Sequence, residues 1–274
     1  MTVNLAKNDR LRHLYLTGIK PTGKDIGFGT YGRVFEVECC GTVCAAKEVH
    51  PTLVQGVSPG EYNRLRKAFL TDCAQSMISL SHPNMVKLLG LYNPGGDSQL
   101  PILVMERMQE NLTSLVEKCP NIPMVIKLSM LLDVSKGLWY LHCHDPPIVH
   151  KDLTPNNILL NNQMVAKISD LGIAKVIKTH GKNTKACSSR TMDFMGPETV
   201  AENSEYGPPL DVFSYGGVIL HVVNQEWPKP QHYVVTDPKT KKMMALSEVE
   251  RRQHHIEKLK GDPGDLANLM FQKK

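Results

Sequence analysis

Apolar and polar residues alternate along the first part of the chain, and this alternation predicts β-strands. Between residues 24 and 50 it is interrupted by glycines, which predicts three strands joined by tight turns. The segment EYNRLRKAFLTDCAQSMISL has a helical pattern that ends before SHPN, and VKLLGLY and PILVME are predicted to form two further strands. The first part of the chain is therefore predicted to be a sheet with one helix.

From residue 112 onward, apolar residues recur at the three-to-four-residue spacing of helices. Four segments show this pattern: LTSLVEKC, MVIKLSMLLDVSKGLWYLHCH, LDVFSYGGVILHVV and LSEVERRQHHIEKLK. The change of pattern predicts an α+β fold in which a small β-rich lobe precedes a larger, mainly helical lobe. We expect an N-terminal extension at residues 1–23, the small lobe at 24–107 and the large lobe at 108–274.

Composition narrows the classes of function. The 274 residues are 41% hydrophobic, and 32 basic against 27 acidic side chains give a net charge of +5. This balance is too even to indicate nucleic acid or an anionic membrane as the main partner.

The chain has no apolar run long enough to span a bilayer and no signal-peptide pattern, so we expect a cytoplasmic protein without membrane insertion. Seven cysteines without a C-x-x-C pair fit reduced thiols, and the isolated HCH run at 142–144 favours a structural role over a metal site.

Three glycines mark a possible phosphate-binding turn. Gly27, Gly29 and Gly32 form G-x-G-x-x-G, which in dinucleotide-binding proteins runs from a strand into a helix. Here RVFEVEC continues as an alternating strand, so a glycine hairpin is predicted. Backbone N–H groups can approach phosphates closely where no Cβ intervenes. Lys47, in the next strand, could hold the same phosphates; an ordinary turn and a solvated lysine are the alternatives.

A polar cluster interrupts the apolar segment IVHKDLTPNNILL at residues 148–160. It contains His150, Lys151, Asp152 and Asn157. Each unpaired polar group removed from water costs about 1–3 kcal/mol, so such a cluster is not buried without a use. The cluster is therefore either a polar turn satisfied by its own backbone or a functional site.

The motifs GFGTYGRV, CAAK, HKDLTPNN, SDLG, GPE and DVFSYG occur in this order, and the series resembles that of the eukaryotic protein kinases. The resemblance runs from about residue 24 to the end of the chain and implies a two-lobed protein-kinase-like fold. SSRTMDFMGPE and LTPNN resemble the tyrosine-kinase-like group, and Thr191 favours transfer of the ATP γ-phosphate to serine and threonine of protein substrates in intracellular signalling. A catalytically weak pseudokinase that acts as a nucleotide-binding scaffold, and a tyrosine or dual-specificity kinase, are the alternatives.

The resemblance also implies a role for individual residues. Asp152 would accept the proton of the substrate hydroxyl, and Lys47 would hold the α- and β-phosphates of ATP. Asn157 and Asp170 would hold Mg²⁺, while Asp211 would fix the backbone of the catalytic loop. The other nucleotide-binding positions would be Ile26, Gly27, Gly29, Gly32, Val34, Ala45, Met105, Glu106, Met108 and Leu159.

Some positions depart from the family pattern. Lys151 stands where an arginine is usual, and it keeps the charge but loses the two-pronged geometry. Thr154 replaces a lysine that many serine/threonine kinases carry. Counting back from His82, the position of the glutamate that pairs with the strand lysine falls on Cys73, with Asp72 one step away.

Further departures concern the second half of the chain. Leu171 replaces a phenylalanine, which exchanges one apolar side chain for another. The chain stops before the helix whose arginine pairs in relatives with Glu198, so we expect the helical lobe to be truncated. Thr184, Ser188 and Ser189 are candidate phosphorylation sites, with an unmodified loop as the alternative.

Overall fold

The computed structural model divides into two compact units. The first comprises Met1–Gln109 and Ser169–Cys187, and the second comprises Glu110–Ile168 and Ser188–Lys274. The residues it describes are 13–29, 32–49, 57–70, 80–94, 99–171, 194, 207–225, 227, 234–236 and 243–245. The division into 1–23, 24–107 and 108–274 stays a prediction.

A five-stranded antiparallel sheet forms the first unit. Its strands are β1 (Ile19–Gly29), β2 (Gly32–Cys39), β3 (Thr42–Val49), β4 (Leu88–Tyr92) and β5 (Ile102–Glu106), in the order β1-β2-β3-β5-β4. Gly29 pairs with Gly32 at the end of the first hairpin, which confirms the predicted glycine hairpin. Cys40 and Gly41 close the second hairpin with φ of 50° and 78°, the backbone that a two-residue turn requires.

Strand β1 starts earlier than the sequence pattern predicts. It begins at Ile19 and so includes residues assigned above to the N-terminal extension. Pro21 and Gly23 normally interrupt a strand. Here the pairing with β2 shifts register between Pro21 and Asp25, so the strand bulges around them and continues.

In the first unit, helix α1 (Pro59–Ala68) starts at a capping box. The side chain of Ser58 accepts from the Glu61 N–H, and the Glu61 carboxylate accepts from the Ser58 N–H at 3.0 Å. Reciprocal bonds of this kind satisfy two backbone donors that the first helical turn leaves unpaired. After α1 the chain has π-helical geometry at residues 69–70, and the side chain of Phe69 is fully buried.

The second unit is mainly helical. It contains the helices α2 (Leu112–Lys118), α3 (Met124–His142) and α4 (Pro208–Asn224), and the strands β6 (Glu110–Asn111), β7 (Ile158–Leu160), β8 (Ala166–Ile168), β9 (Val234–Thr236) and β10 (Met243–Ala245). Strands β6, β7 and β8 form one sheet, and β9 pairs with β10. Helix α3 packs against α4 and β8, and the Tyr215 hydroxyl donates to the Leu131 carbonyl at 2.5 Å.

The predicted α+β class is confirmed by these two units. The predicted helices at 112–119 and 124–144 correspond to α2 and α3, and the one at 210–223 corresponds to α4. The predicted helix LSEVERRQHHIEKLK lies outside the described residues. In the described part of the chain, no helix is long and apolar enough to cross a bilayer.

Candidate active site

One face of the five-stranded sheet collects several of the predicted nucleotide-binding residues. Directly paired residues of antiparallel strands point to the same side of a sheet. Gly27 pairs with Val34, Val34 pairs with Lys47, and Ala45 pairs with Met105. The residues between them, which include Phe35, Val37, Ala46 and Val104, form the core on the other side. The sheet therefore brings Gly27, Val34, Ala45, Lys47 and Met105 to one face.

Two glycines of the hairpin have different surroundings. A Cβ added at Gly32 would lie 1.9 Å from the carbonyl oxygen of Glu48, so the packing of β2 on β3 requires glycine there. A Cβ added at Gly27 would meet nothing within 4 Å. The backbone at Gly27 thus borders open space, as the approach of a phosphate group requires. Ile26, next to Gly27, is half-buried.

Lys47 and Asp170 form a close ion pair within the first unit. The Nζ atom of Lys47 lies 2.6 Å from Oδ2 of Asp170, although the two residues are 123 positions apart in the sequence. Their side chains are 10% and 27% exposed, so solvent screens this pair less than a surface pair. Asp170 has a φ of 64°, which is uncommon for a residue other than glycine. The fold thus places an ammonium group and a carboxylate in direct contact beside the same sheet.

The helix positions that the sequence offers as partners of Lys47 are Asp72 and Cys73. Both lie outside the described residues. The acidic residue of α1 is Glu61, and it caps the helix at Ser58. The register of Asp72 and Cys73 relative to Lys47 stays a prediction.

Glu106, the last residue of β5, forms two hydrogen bonds with Lys87, the residue before β4. The N–H of Glu106 donates to the Lys87 carbonyl at 3.0 Å, and the Glu106 carboxylate accepts from the Lys87 N–H at 2.7 Å. Met105 and Met108, on either side, are buried. The segment predicted to pair with adenine is therefore held at its first residue, Glu106.

In the second unit, Asp152 and Asn157, which are predicted to belong to the catalytic loop, contact each other. The side-chain Nδ2 of Asn157 donates to the Asp152 carbonyl at 2.6 Å and to its carboxylate at 3.3 Å. The N–H of Asp152 donates to Nδ1 of His150 at 3.3 Å. Leu159 lies two residues further on in β7, where it is half-buried between the fully buried Ile158 and Leu160.

Asp211 holds the backbone of this loop from the first turn of α4. Its buried carboxylate accepts from the N–H groups of His150 at 2.8 Å and Lys151 at 2.9 Å, and from Nε2 of His142 at 2.8 Å. Burial acts to raise the pKa of Asp211, but the bond from His142, the nearby His150 and the two backbone N–H groups lower it overall. Lys151 has a φ of 68°. A non-glycine residue in this region costs about 1–3 kcal/mol, which the hydrogen bonds to Asp211 offset.

Sequence reasoning did not find the contact between His142 and Asp211. The HCH run gave no signal for it, because the two residues are 69 positions apart. His144 makes a separate contact, in which Nδ1 lies 2.8 Å from the Tyr140 carbonyl oxygen. The two histidines therefore have different partners.

Comparison with known proteins shows the family of the chain. The family model for the protein kinase domain matches residues 21–274. The chain is similar to a probable serine/threonine-protein kinase of Dictyostelium discoideum, with 28% identity over 207 residues, 75% of this chain and 19% of that protein. It is also similar to a probable leucine-rich repeat receptor-like protein kinase of Arabidopsis thaliana (31% over 201 residues, 72% of this chain, 17% of the relative). A cyclin-dependent kinase C-2 C of the same plant is 30% identical over 205 residues, 72% of this chain and 30% of the relative.

The chain thus spans less than a third of the length of each of these relatives. It belongs to the eukaryotic protein kinase domain family and has that family's fold, a β-rich sheet unit followed by a mainly helical unit.

Proposed function

We propose that this chain is a protein kinase that transfers the γ-phosphate of ATP to serine and threonine hydroxyls of protein substrates, with Mg²⁺. The contact between Lys47 and Asp170, at 2.6 Å, carries the proposal. Phosphoryl transfer spreads negative charge over phosphate oxygens, so the protein must supply cations, metal-holding carboxylates and alignment. A lysine and an aspartate from distant parts of the sequence meet here, and the lysine shares a sheet face with Gly27, whose backbone borders open space.

The catalytic loop supplies the proton acceptor in this proposal. Asp152 takes the proton of the substrate hydroxyl. The side-chain amide of Asn157 orients the Asp152 carboxylate. Asp211 acts through the loop backbone, because it fixes the N–H groups of His150 and Lys151 just before Asp152. It is therefore a positioning residue.

The residue types proposed as metal ligands suit Mg²⁺. Asp170 offers a carboxylate and Asn157 an amide oxygen, and both are hard oxygen ligands. Among the described residues no group of three histidine, cysteine or acidic side chains could hold a metal ion by itself. In phosphoryl-transfer sites Mg²⁺ is held by one or two protein oxygens together with phosphates and water. When bound, the ion would neutralise charge on the phosphates.

The nucleotide would be held mainly by the sheet of the first unit. Lys47 would contact the α- and β-phosphates, and the backbone of residues 106–108 would pair with adenine. The remaining proposed contacts are Ile26, Gly27, Gly29 and Gly32 over the phosphates, and Val34, Ala45, Met105 and Leu159 around the base.

A serine/threonine acceptor is supported by the sequence and by the names of relatives. The SSRTMDFMGPE and LTPNN runs resemble the tyrosine-kinase-like group, whose members mostly act on serine and threonine, and Thr191 stands where serine/threonine-directed relatives keep a threonine. The Dictyostelium relative is described as a probable serine/threonine-protein kinase. Thr191 and the candidate phosphorylation sites Thr184, Ser188 and Ser189 lie outside the described residues. A cytoplasmic role in signalling belongs to the same proposal.

A second candidate is a pseudokinase that binds nucleotide without turnover. The sequence favours it, because the position of the glutamate that pairs with the strand lysine in relatives falls on Cys73, with Asp72 one step away.

Phosphorylation with labelled ATP and Mg²⁺, followed by separation of the phosphoamino acids, tests the proposal. Phosphoserine and phosphothreonine should dominate. Asp152→Asn should bind ATP normally and lose about 10²–10⁴-fold in turnover, as expected for removal of a general base. Asp170→Asn should lose the Mg²⁺-dependent part of ATP binding. Asp145→Asn, at an exposed aspartate outside the site, is the matched control and should behave as wild type.

Three results would change this assignment. Phosphotyrosine alone would show that the acceptor is wrong. Equal turnover by wild type and Asp152→Asn would remove Asp152 from the role of base. Nucleotide binding without any label would favour the pseudokinase.

A further inference from the structure

The outer side of α3 carries a row of exposed apolar side chains. Their exposed fractions are 40% for Met124, 69% for Val125, 37% for Ile126, 39% for Leu128, 54% for Leu132 and 71% for Trp139. On its inner side the helix is buried through Met130, Leu131, Val134, Leu138 and Leu141. The same side also carries the exposed polar residues Ser129 and Lys136. Met124 and Ile126 lie about 100° to either side of Val125, so they flank this side of the helix. The outer α3 face is defined below as Val125, Leu128, Leu132 and Trp139.

The outer α3 face has a regular spacing. Val125, Leu132 and Trp139 are seven residues apart, and seven residues turn an α-helix through about 700°, only about 20° short of two turns. These three side chains therefore form a nearly straight row about 21 Å long. Leu128 lies beside the row, one turn before Leu132. The spacing is that of the seam between two packed helices.

We propose that the outer α3 face binds the same face of a second copy of this chain, with the two α3 helices antiparallel and the two-fold axis at Leu132. Val125 and Trp139 lie seven residues to either side of Leu132, so this axis places the small valine of one copy against the large indole of the other. Leu132 meets Leu132 at the centre. The row is self-complementary, as an interface between identical chains requires.

The charges of α3 fit an apolar partner. Lys127 points inward and donates to the Val223 carbonyl at 3.3 Å, and Asp133 accepts from the Ala166 N–H at 3.1 Å. Lys136 is exposed on one side of the row, where its aliphatic part can lie along the apolar surface while the ammonium stays in water. A face with so little charge lacks the groups that would select an acidic or a basic partner.

The size of the outer α3 face sets the expected affinity between the two copies. The largest apolar patch on a typical monomer covers about 300–600 Å² and is often functional, whereas a stable complex buries about 800 Å² on each partner. One helix face of four apolar side chains belongs to the smaller class. We therefore expect association in the micromolar range, to be measured from about 1 to 100 μM.

Sedimentation velocity of the 274-residue chain over this range tests the proposal. The average mass should rise toward twice the monomer mass with concentration. Leu132→Lys and Leu132→Glu should each stay monomeric, because two like charges would meet at the axis. An equimolar mixture of these two variants should dimerise again, because lysine then faces glutamate. Val43→Lys, at a 49% exposed residue of β3, adds the same charge elsewhere and should dimerise as wild type.

Circular dichroism and thermal unfolding of each variant show whether the monomer is folded, which the exposure of Leu132 leads us to expect. A wild-type monomer at every concentration would overturn the proposal and would indicate that another part of the chain or a different protein covers the face. A dimer that survives Leu132→Lys, or folded variants whose mixture stays monomeric, would overturn it as well.

Discussion

Among single residues, Asp211 has the greatest influence on the proposed catalytic loop. Its carboxylate is fully buried and accepts three hydrogen bonds, two of them from the backbone of His150 and Lys151. An acceptor with fewer oxygens or no charge leaves buried donors unsatisfied, and each such group costs about 1–3 kcal/mol. The position of Asp152 therefore depends on a residue that lies 59 positions later in the chain.

We expect Asp211→Asn to lower the free energy of unfolding by about 1–3 kcal/mol at pH 7 and to lower turnover more than ATP affinity. The pKa of Asp211 is lowered in the folded protein, so the unfolded chain binds this proton more tightly. The stability that its charge contributes is complete above the unfolded pKa of about 3.9 and is lost as the pH falls below it. Urea unfolding at pH 7 and near pH 3 checks this.

The difference between wild type and Asp211→Asn should shrink at the lower pH. Asp145→Asn, at an exposed aspartate, is the control and should change little at either pH. An equal difference at both pH values would show that the charge of Asp211 contributes nothing and that only its shape matters.

The residues of the proposed site could be predicted from the sequence, but their contacts could be predicted only in part. Asp152, Lys47 and Asp170 stand in motifs whose order is specific. The side chain that orients Asp211, His142, stands in no such motif, and only the packing of α3 on α4 brings the two together.

At the scale of elements, alternation predicted the strands that are long enough to show it. Strands β2, β3, β4 and β5 each have at least five residues. Strands β6, β7 and β8 have two or three residues each, too few for a period of two to be recognised. The start of β1 was missed because Pro21 and Gly23 interrupt the pattern, and only the pairing with β2 shows that the strand continues.

The glycine hairpin supports a matched pair of substitutions. Gly32→Ala should lower the free energy of unfolding by about 1–3 kcal/mol, because its Cβ would lie 1.9 Å from the Glu48 carbonyl oxygen and the backbone must move. Gly27→Ala should keep the stability of wild type, since nothing lies within 4 Å of that Cβ, and should weaken ATP binding.

Urea unfolding and ATP titration of both variants separate the two roles. Equal losses of stability would contradict the different surroundings of the two glycines. Unchanged ATP affinity in Gly27→Ala would contradict the proposal that phosphates approach the hairpin there.

At the scale of the whole molecule, the proposed function depends on residues that the fold collects from distant parts of the chain. Ser169–Cys187 belongs to the first unit although the second unit begins at Glu110, so the chain returns to the first unit after β8. This return places Asp170 beside Lys47. Periodicity could predict the elements of each unit, but a return of this kind is set by the packing of the complete chain.

Mg·ATP should therefore stabilise the entire protein and not only one strand. A ligand at 100 times its Kd adds about 2.7 kcal/mol to the free energy of unfolding. For a chain of this size each kcal/mol shifts Tm by roughly 2–4 °C, so a rise of roughly 5–10 °C is expected. Lys47→Met should lose most of this rise, and Asp170→Asn should show the same smaller rise with and without Mg²⁺.

Removing Lys47 also leaves Asp170 without its ammonium partner, so the Tm of Lys47→Met without ligand should already be lower than that of wild type. The rise on adding nucleotide must for that reason be measured within each variant. Lys118→Met is the matched control, because Lys118 also contacts a carboxylate, that of Glu110 at 2.9 Å, but is 67% exposed and lies in the second unit. Lys118→Met should keep the full rise in Tm on adding Mg·ATP. If Lys47→Met kept it too, the sheet face around Lys47 would not be where the phosphates bind, and the pair with Asp170 would be only structural.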